Sequence, residues 1–67
     1  MASYRWYSVG HRPHGDGRTI EILGWSRDRL KAMKVAGTIE AYRASSREMA
    51  ARKARADRGF EIDWRKY

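Results

Sequence analysis

The chain reads as a small α+β domain, a β-hairpin followed by a helical segment and a short C-terminal strand in the order β-β-α-β. Three observations lead there. Residues 3–25 gather aromatic and β-branched residues around a Gly/Pro-rich turn, residues 26–58 have a helix-forming composition, and residues 60–64 return to strict alternation. With 67 residues and no cysteine there is room for one domain, residues 1–67, and no disulfide to staple it. A chain of this length buries only about 60% of its unfolded surface, so the core must be small. Three tryptophans, four tyrosines and 42% hydrophobic residues nevertheless supply material for one, which argues against disorder.

Residues 3–9 and 19–23 are the strands of the hairpin, and residues 13–17, with Pro13, Gly15 and Gly17, are too many for a tight two-residue turn. Alternation assigns Tyr4, Trp6 and Ser8 to one face of the first strand and Arg5, Tyr7 and Val9 to the other. On the second strand Ile20, Ile22 and Gly24 oppose Glu21, Leu23 and Trp25. Large apolar residues occur on both faces, so one face is expected to pack on the helix and the other to be covered or to form an aromatic surface.

The helix is expected to start at Ser26 as N-cap, with Asp28 in the first turn and Trp25 and Leu30 in the positions of a hydrophobic staple. Its stop is written in Arg58-Gly59-Phe60: a cation, a glycine suited to φ > 0 and an apolar residue beyond. An unbroken helix over 26–58 would run ~50 Å, whereas a compact domain of this length has a radius of gyration near ~11 Å. The helix must therefore break or project from the domain, and a break is favoured. Gly37-Thr38 is one candidate, and Ser45-Ser46 is favoured because Ser45 with Glu48 spells a capping box. Residues 60–64 set Phe60, Ile62 and Trp64 against Glu61 and Asp63, a short half-buried strand returning to the hairpin.

Charge gives the first functional expectation. Eleven of the fifteen basic residues are arginines, and residues 43–58 contribute +4 of the formal net +7. Arg43, Arg47, Arg52, Lys53, Arg55 and Arg58 there face only Glu48 and Asp57. A guanidinium is always charged and forks two N–H groups toward one phosphate, so this run is expected to bind nucleic acid or a ribonucleoprotein, with Arg12 and Arg18 of the hairpin turn as secondary contacts. Aromatics on or beside the strands, Tyr4, Trp6, Tyr7, Trp25, Phe60, Trp64 and Tyr67, lie close in sequence to arginines. Such residues stack single-stranded bases in many small modules, although core filling accounts for most aromatics in a chain this poor in leucine.

A second reading comes from laying residues 27–58 on one helix. Leu30, Met33, Gly37, Ala41 and Ala44 then form a narrow apolar stripe, and Val35, Ile39, Tyr42 and Met49 with Ala32, Ala36 and Ala50 a wider one opposite. Val35, Ile39, Tyr42 and Met49 would contact a second chain, as a homodimer or as a small accessory or inhibitor protein of the kind phages encode to block a host complex. A sheet edge would serve the same purpose. The basic surface would steer such a protein to an acidic, nucleic-acid-like site.

Catalysis, cofactors and metal are not expected. His11, His14 and Asp16 are too few for a tetrahedral metal site, and the glycine-rich turn opens into a strand rather than a helix N-terminus. No nucleophile sits beside an oriented base, and Glu61 and Asp63 read as surface partners of Arg65 and Lys66. A domain this small hardly encloses a small-molecule pocket. The absence of cysteine, of an apolar leader core and of any ~20-residue apolar run leads to the expectation of a cytoplasmic protein without membrane association.

Overall fold

A computed structural model describes residues 4–11, 17–59 and 61–62 of the protein. Four strands form one sheet: β1 (Arg5–His11), β2 (Thr19–Ser26), β3 (Thr38–Ala44) and β4 (Glu61–Ile62). Helix α1 (Arg29–Met33) lies between β2 and β3, and α2 (Arg47–Arg58) between β3 and β4. The strand order is β3-β1-β2-β4, with β1 antiparallel to β2 and β3, and β4 parallel to β2. The α+β class, the hairpin and the returning strand are as the sequence predicts. Phe60, Asp63, Trp64 and residues 13–16 of the expected turn lie outside the described residues.

The central strand organises both layers. Tyr7 and Val9 point to one face, where they join Ile20, Ala44 and Ile62 against Ala50, Ala51 and Ala54 of α2. Those three alanines are at most 2% exposed, so the helix approaches the sheet with no long side chain between. Ser8 and Gly10 alternate to the other face, under α1 and the turn that follows it. There the buried Ser8 hydroxyl donates to the Ala32 carbonyl at 2.6 Å. A Cβ on Gly10 would stand 2.3 Å from the Gly37 carbonyl oxygen, so only glycine admits this approach.

Three local expectations are corrected. The first concerns the interior of residues 26–58, which holds a strand as well as two helices. Gly37, at φ +88°, turns the chain out of α1, and Thr38, Ile39 and Tyr42 are β-formers that pair across to β1. Pairing with β1 supplies the ladder bonds that outweigh the helix propensity of Glu40, Ala41, Arg43 and Ala44. Helix α2 then begins one residue after the favoured break, with Ser46 as N-cap accepting from the Met49 N–H at 3.2 Å. It ends as predicted at Gly59, whose N–H donates to the Arg55 carbonyl at 2.7 Å.

The second correction is the first helix start. Asp28, not Ser26, is the N-cap, its Oδ1 accepting from the Leu30 N–H at 2.9 Å. Ser26 instead closes β2 opposite Trp6, and its hydroxyl accepts from the Asp28 N–H. Trp25 is held in β2 and Leu30 is 67% exposed, so no hydrophobic staple forms. The third is a β-bulge at Leu23. Val9 pairs with Ile22 and Ser8 with Gly24, leaving Leu23 as the extra residue. Trp25 thereby moves to the Tyr7 face rather than the face of Glu21.

Two substitutions separate this packing from the sequence-based picture. Gly10→Ala should destabilise the domain by about 2 kcal/mol or more, because the obstructing atom is backbone. Leu30→Ala should change stability by less than about 0.5 kcal/mol, because the side chain is exposed. Urea melts of the two variants beside the parent protein check both.

Candidate nucleic-acid interface

The cations predicted to face phosphate fall into different environments. Arg58, though exposed, is engaged by its own chain: its Nε donates to the Tyr42 hydroxyl at 3.3 Å, and its guanidinium lies 3.7 Å from Glu40 and 3.9 Å from Asp57. Lys53 donates from Nζ to the Arg43 carbonyl at 2.5 Å, and Arg52 pairs with Glu48 one helical turn back at 2.8 Å. Arg47 and Arg55 are exposed on α2 and make no ion pair among the described residues. Arg43 is not on a helix at all; it stands on β3, exposed. Arg18 is exposed just before β2, and Arg12 lies outside the described residues. The basic helix is therefore partly spent on its own fold, with Arg47 and Arg55 carrying uncompensated charge.

A second cluster forms where β1 begins and β2 and β3 finish. The register sets Trp6 opposite both Ser26 and Arg43, and Tyr7 opposite Trp25. Three guanidinium groups lie over three rings at this end of the sheet: Arg5 over Trp25 at 4.2 Å, Arg43 over Tyr4 at 4.9 Å and Arg29 over Trp6 at 5.9 Å from the ring centroids. Tyr4 is 54% exposed and Trp25 44%, whereas Trp6 is half-buried. Two further exposed large apolar residues among those described adjoin the same end, Leu30 in α1 just past β2 and Met49 in the first turn of α2 just past β3.

Acidic groups nearby are already occupied. The Asp28 carboxylate caps α1, Glu48 holds Arg52, and Glu40 accepts Arg29 at 3.0 Å. Arg5 and Arg43 make no ion pair among the described residues. Stacking occupies the flat face of a guanidinium and leaves its in-plane N–H groups directed elsewhere, suited to donate to phosphate oxygens. Arg5 and Arg29 were not singled out by sequence. Their signal is the register between β1, β2 and β3, which no local pattern contains.

Along the outer edge of β3, Glu40 ties the two faces together, taking Arg29 from one side and Arg58 from the other. The same carboxylate accepts from the Ala41 N–H at 2.9 Å. Tyr42 beside it donates its hydroxyl to Asp57 at 2.7 Å. Its ionisation is pushed above the ordinary value of 10.0, first by burial and then by that hydrogen bond, with Arg58 opposing. These groups line a shallow groove with Lys53 and Ala56.

The residues expected to meet a protein partner do not share a surface. Val35 lies in the turn after α1 beside Gly24, Ile39 and Tyr42 pack from β3 toward α2, and Met49 is exposed on α2. The helical stripe that grouped them does not exist, because β3 interrupts it. No group of three or more His, Cys, Asp or Glu residues suited to a metal occurs among the described residues; His11 is exposed at the end of β1, and His14 and Asp16 lie outside them. No described helix is long and apolar enough to cross a membrane. Compared with known proteins, the chain matches no family model, no curated relative and no solved structure.

The Tyr42 site predicts a stability loss in alkali. Because the folded pKa lies above the unfolded one, the folded state retains a proton that the unfolded chain releases, so stability is full below about pH 10 and falls as pH rises through the folded value. Denaturant melts between pH 9 and 11 should show this decline, about the ordinary tyrosine pKa. It should be shallower in Tyr42→Phe, which has no hydroxyl to titrate.

Proposed function

We propose that the protein is a non-enzymatic module that binds nucleic acid, alone or within a ribonucleoprotein, through arginines on the β1–β3 end of the sheet and the outer surface of α2. The observation that carries this reading is that Arg5, Arg43, Arg47 and Arg55 make no ion pair among the described residues, while the neighbouring acids are taken up in caps and pairs. A chain of formal charge +7 that neutralises its own acids and leaves these guanidiniums outward presents a field that attracts polyanions. Arginine rather than lysine dominates, which suits forked contacts to phosphate oxygens. Of the cations in residues 43–58, Arg58 and Lys53 serve the fold first and Arg52 is paired with Glu48, so Arg43, Arg47 and Arg55 are the principal phosphate contacts in this reading.

The alternative of an acidic protein partner shares the charge but loses the helical stripe that supported it. The β3 edge is a weak template for strand addition, because Glu40 covers the Ala41 N–H and Lys53 covers the Arg43 carbonyl.

Affinity for nucleic acid should fall steeply with added salt, with a log–log slope of about −4 on duplex DNA if about five phosphates are neutralised. Arg47→Glu combined with Arg55→Glu should weaken binding at least about tenfold and flatten the slope by about 2, while melting changes little because both side chains are exposed. Binding measured by fluorescence anisotropy across a salt series tests this. Binding that ignores salt, or nuclease-resistant capture of one acidic protein, would replace this reading with the protein-partner one.

A further inference from the structure

We propose that the β1–β3 end of the sheet selects single-stranded nucleic acid, with one base stacked on the Tyr4/Arg43 pair, another on the Trp25/Arg5 pair, and adjacent phosphates on the two guanidiniums. This rests on the nucleic-acid reading above and names the form of strand it takes.

The starting observation is an inversion of ordinary packing. Of the ten buried hydrophobic residues among those described, six are alanines, so the core is starved of volume, yet Tyr4 and Trp25 stay 54% and 44% exposed. Burial of either ring would stabilise the domain by about 2 kcal/mol, so leaving both in water is a cost to the isolated fold. Each ring is instead paired with a guanidinium, at 4.9 Å for Tyr4 and 4.2 Å for Trp25. A ring–guanidinium pair is a flat platform on which a base adds to the pile, over either the ring or the guanidinium plane, while the N–H edge of the arginine is directed to the sugar–phosphate chain.

The third ring at this end marks the contrast. Trp6 is half-buried and its arginine, Arg29, is committed to Glu40 at 3.0 Å, so that pair belongs to the fold. The two complete platforms point to opposite faces. Tyr4 lies under Arg43, which shares a face with Trp6, whereas Trp25 shares a face with Tyr7. A duplex keeps its base faces inside the stack and is stiff over this distance, so it cannot offer bases to platforms on two sides of a strand end. A single strand bends around that end with its bases unstacked. Charge favours the same occupant, since Arg27 and Arg47 flank the platforms and make no ion pair among the described residues.

The test compares labelled thymidine and uridine homopolymers of about fifteen nucleotides with a duplex of the same length, by fluorescence anisotropy at one salt concentration. Single strands should bind at least about tenfold more tightly than duplex, and Tyr4→Ala and Trp25→Ala should each weaken single-strand binding about tenfold while leaving duplex binding unchanged. Both side chains are exposed, and melting curves verify that the variants remain folded. Arg5→Lys and Arg43→Lys, which keep charge but lose the planar stack, should weaken single-strand binding several-fold with the salt slope preserved. The thymidine and uridine arms separate DNA from RNA. Equal or tighter duplex binding, or a single-strand preference untouched by Tyr4→Ala and Trp25→Ala, overturns the stacking proposal and leaves the nucleic-acid reading in place. Failure to bind any of the three probes overturns both.

Discussion

The architecture depends on how closely residues 32–38 approach the middle strand. The Ser8 hydroxyl, fully buried, reaches the Ala32 carbonyl at 2.6 Å, and Thr38 directs its own hydroxyl to the same oxygen at 3.4 Å. One carbonyl at the end of α1 is thus gripped from β1 and from β3. Removing a buried donor leaves that carbonyl partly unsatisfied, at a cost of about 1 to 3 kcal/mol, a large share of what a small domain has. Gly10 completes the contact by letting the Gly37 backbone sit where a side chain would stand. Together these place the start of β3 beside β1 and set the register that follows.

From that register the topology is almost forced. Strands β2 and β3 are both antiparallel to β1, so the chain must cross over the sheet between them, and α1 with its turn is that crossing. The second crossing, from β3 to β4, runs in the opposite direction on the opposite face through α2. Reversing both direction and face preserves the hand, so the two crossovers share one chirality, as packing a twisted sheet requires. Glu40 binds the crossings together at the outer edge by accepting an arginine from each helix. It also covers the Ala41 N–H of the edge strand, and Lys53 covers the Arg43 carbonyl, which blunts an otherwise open ladder.

Features written locally were legible in the sequence, and features written by pairing were not. The Gly59 stop, the serine cap near residue 45 and the face assignment of Tyr4 to Val9 each depend on a few neighbouring residues. Strand β3 does not. Its residues Glu40, Ala41, Arg43 and Ala44 favour a helix in isolation, and only contact with β1, about thirty positions away in the chain, makes them a strand. The misplaced first cap has a similar origin: Ser26 is as good a cap as Asp28 by chemistry, but the hairpin extends through it and claims its backbone for β2. The candidate site suffered most. Counting cations along residues 43–58 grouped side chains that the fold divides among a strand, an ion pair, a backbone carbonyl and open solvent, while the neighbours of Arg43 came from the first strand.

The alanine-lined face of α2 explains why this division is possible. A helix whose buried positions are Ala50, Ala51 and Ala54 sits close on the sheet and draws only on Tyr7 and Tyr42 among the large aromatics described. The rings of Tyr4 and Trp25 are thereby released from the core to the end of the sheet, where the guanidiniums of Arg43 and Arg5 lie over them. An exposed cation–π pair contributes only about 0.5 to 1 kcal/mol, less than burial of either ring would. In a domain with so little core, that arrangement gives up stability at the end of the sheet while the packing around Ser8, Gly10 and α2 remains intact. The fold is therefore held by small residues at the centre, and the large flat ones at the end of β1 are left available to something outside it.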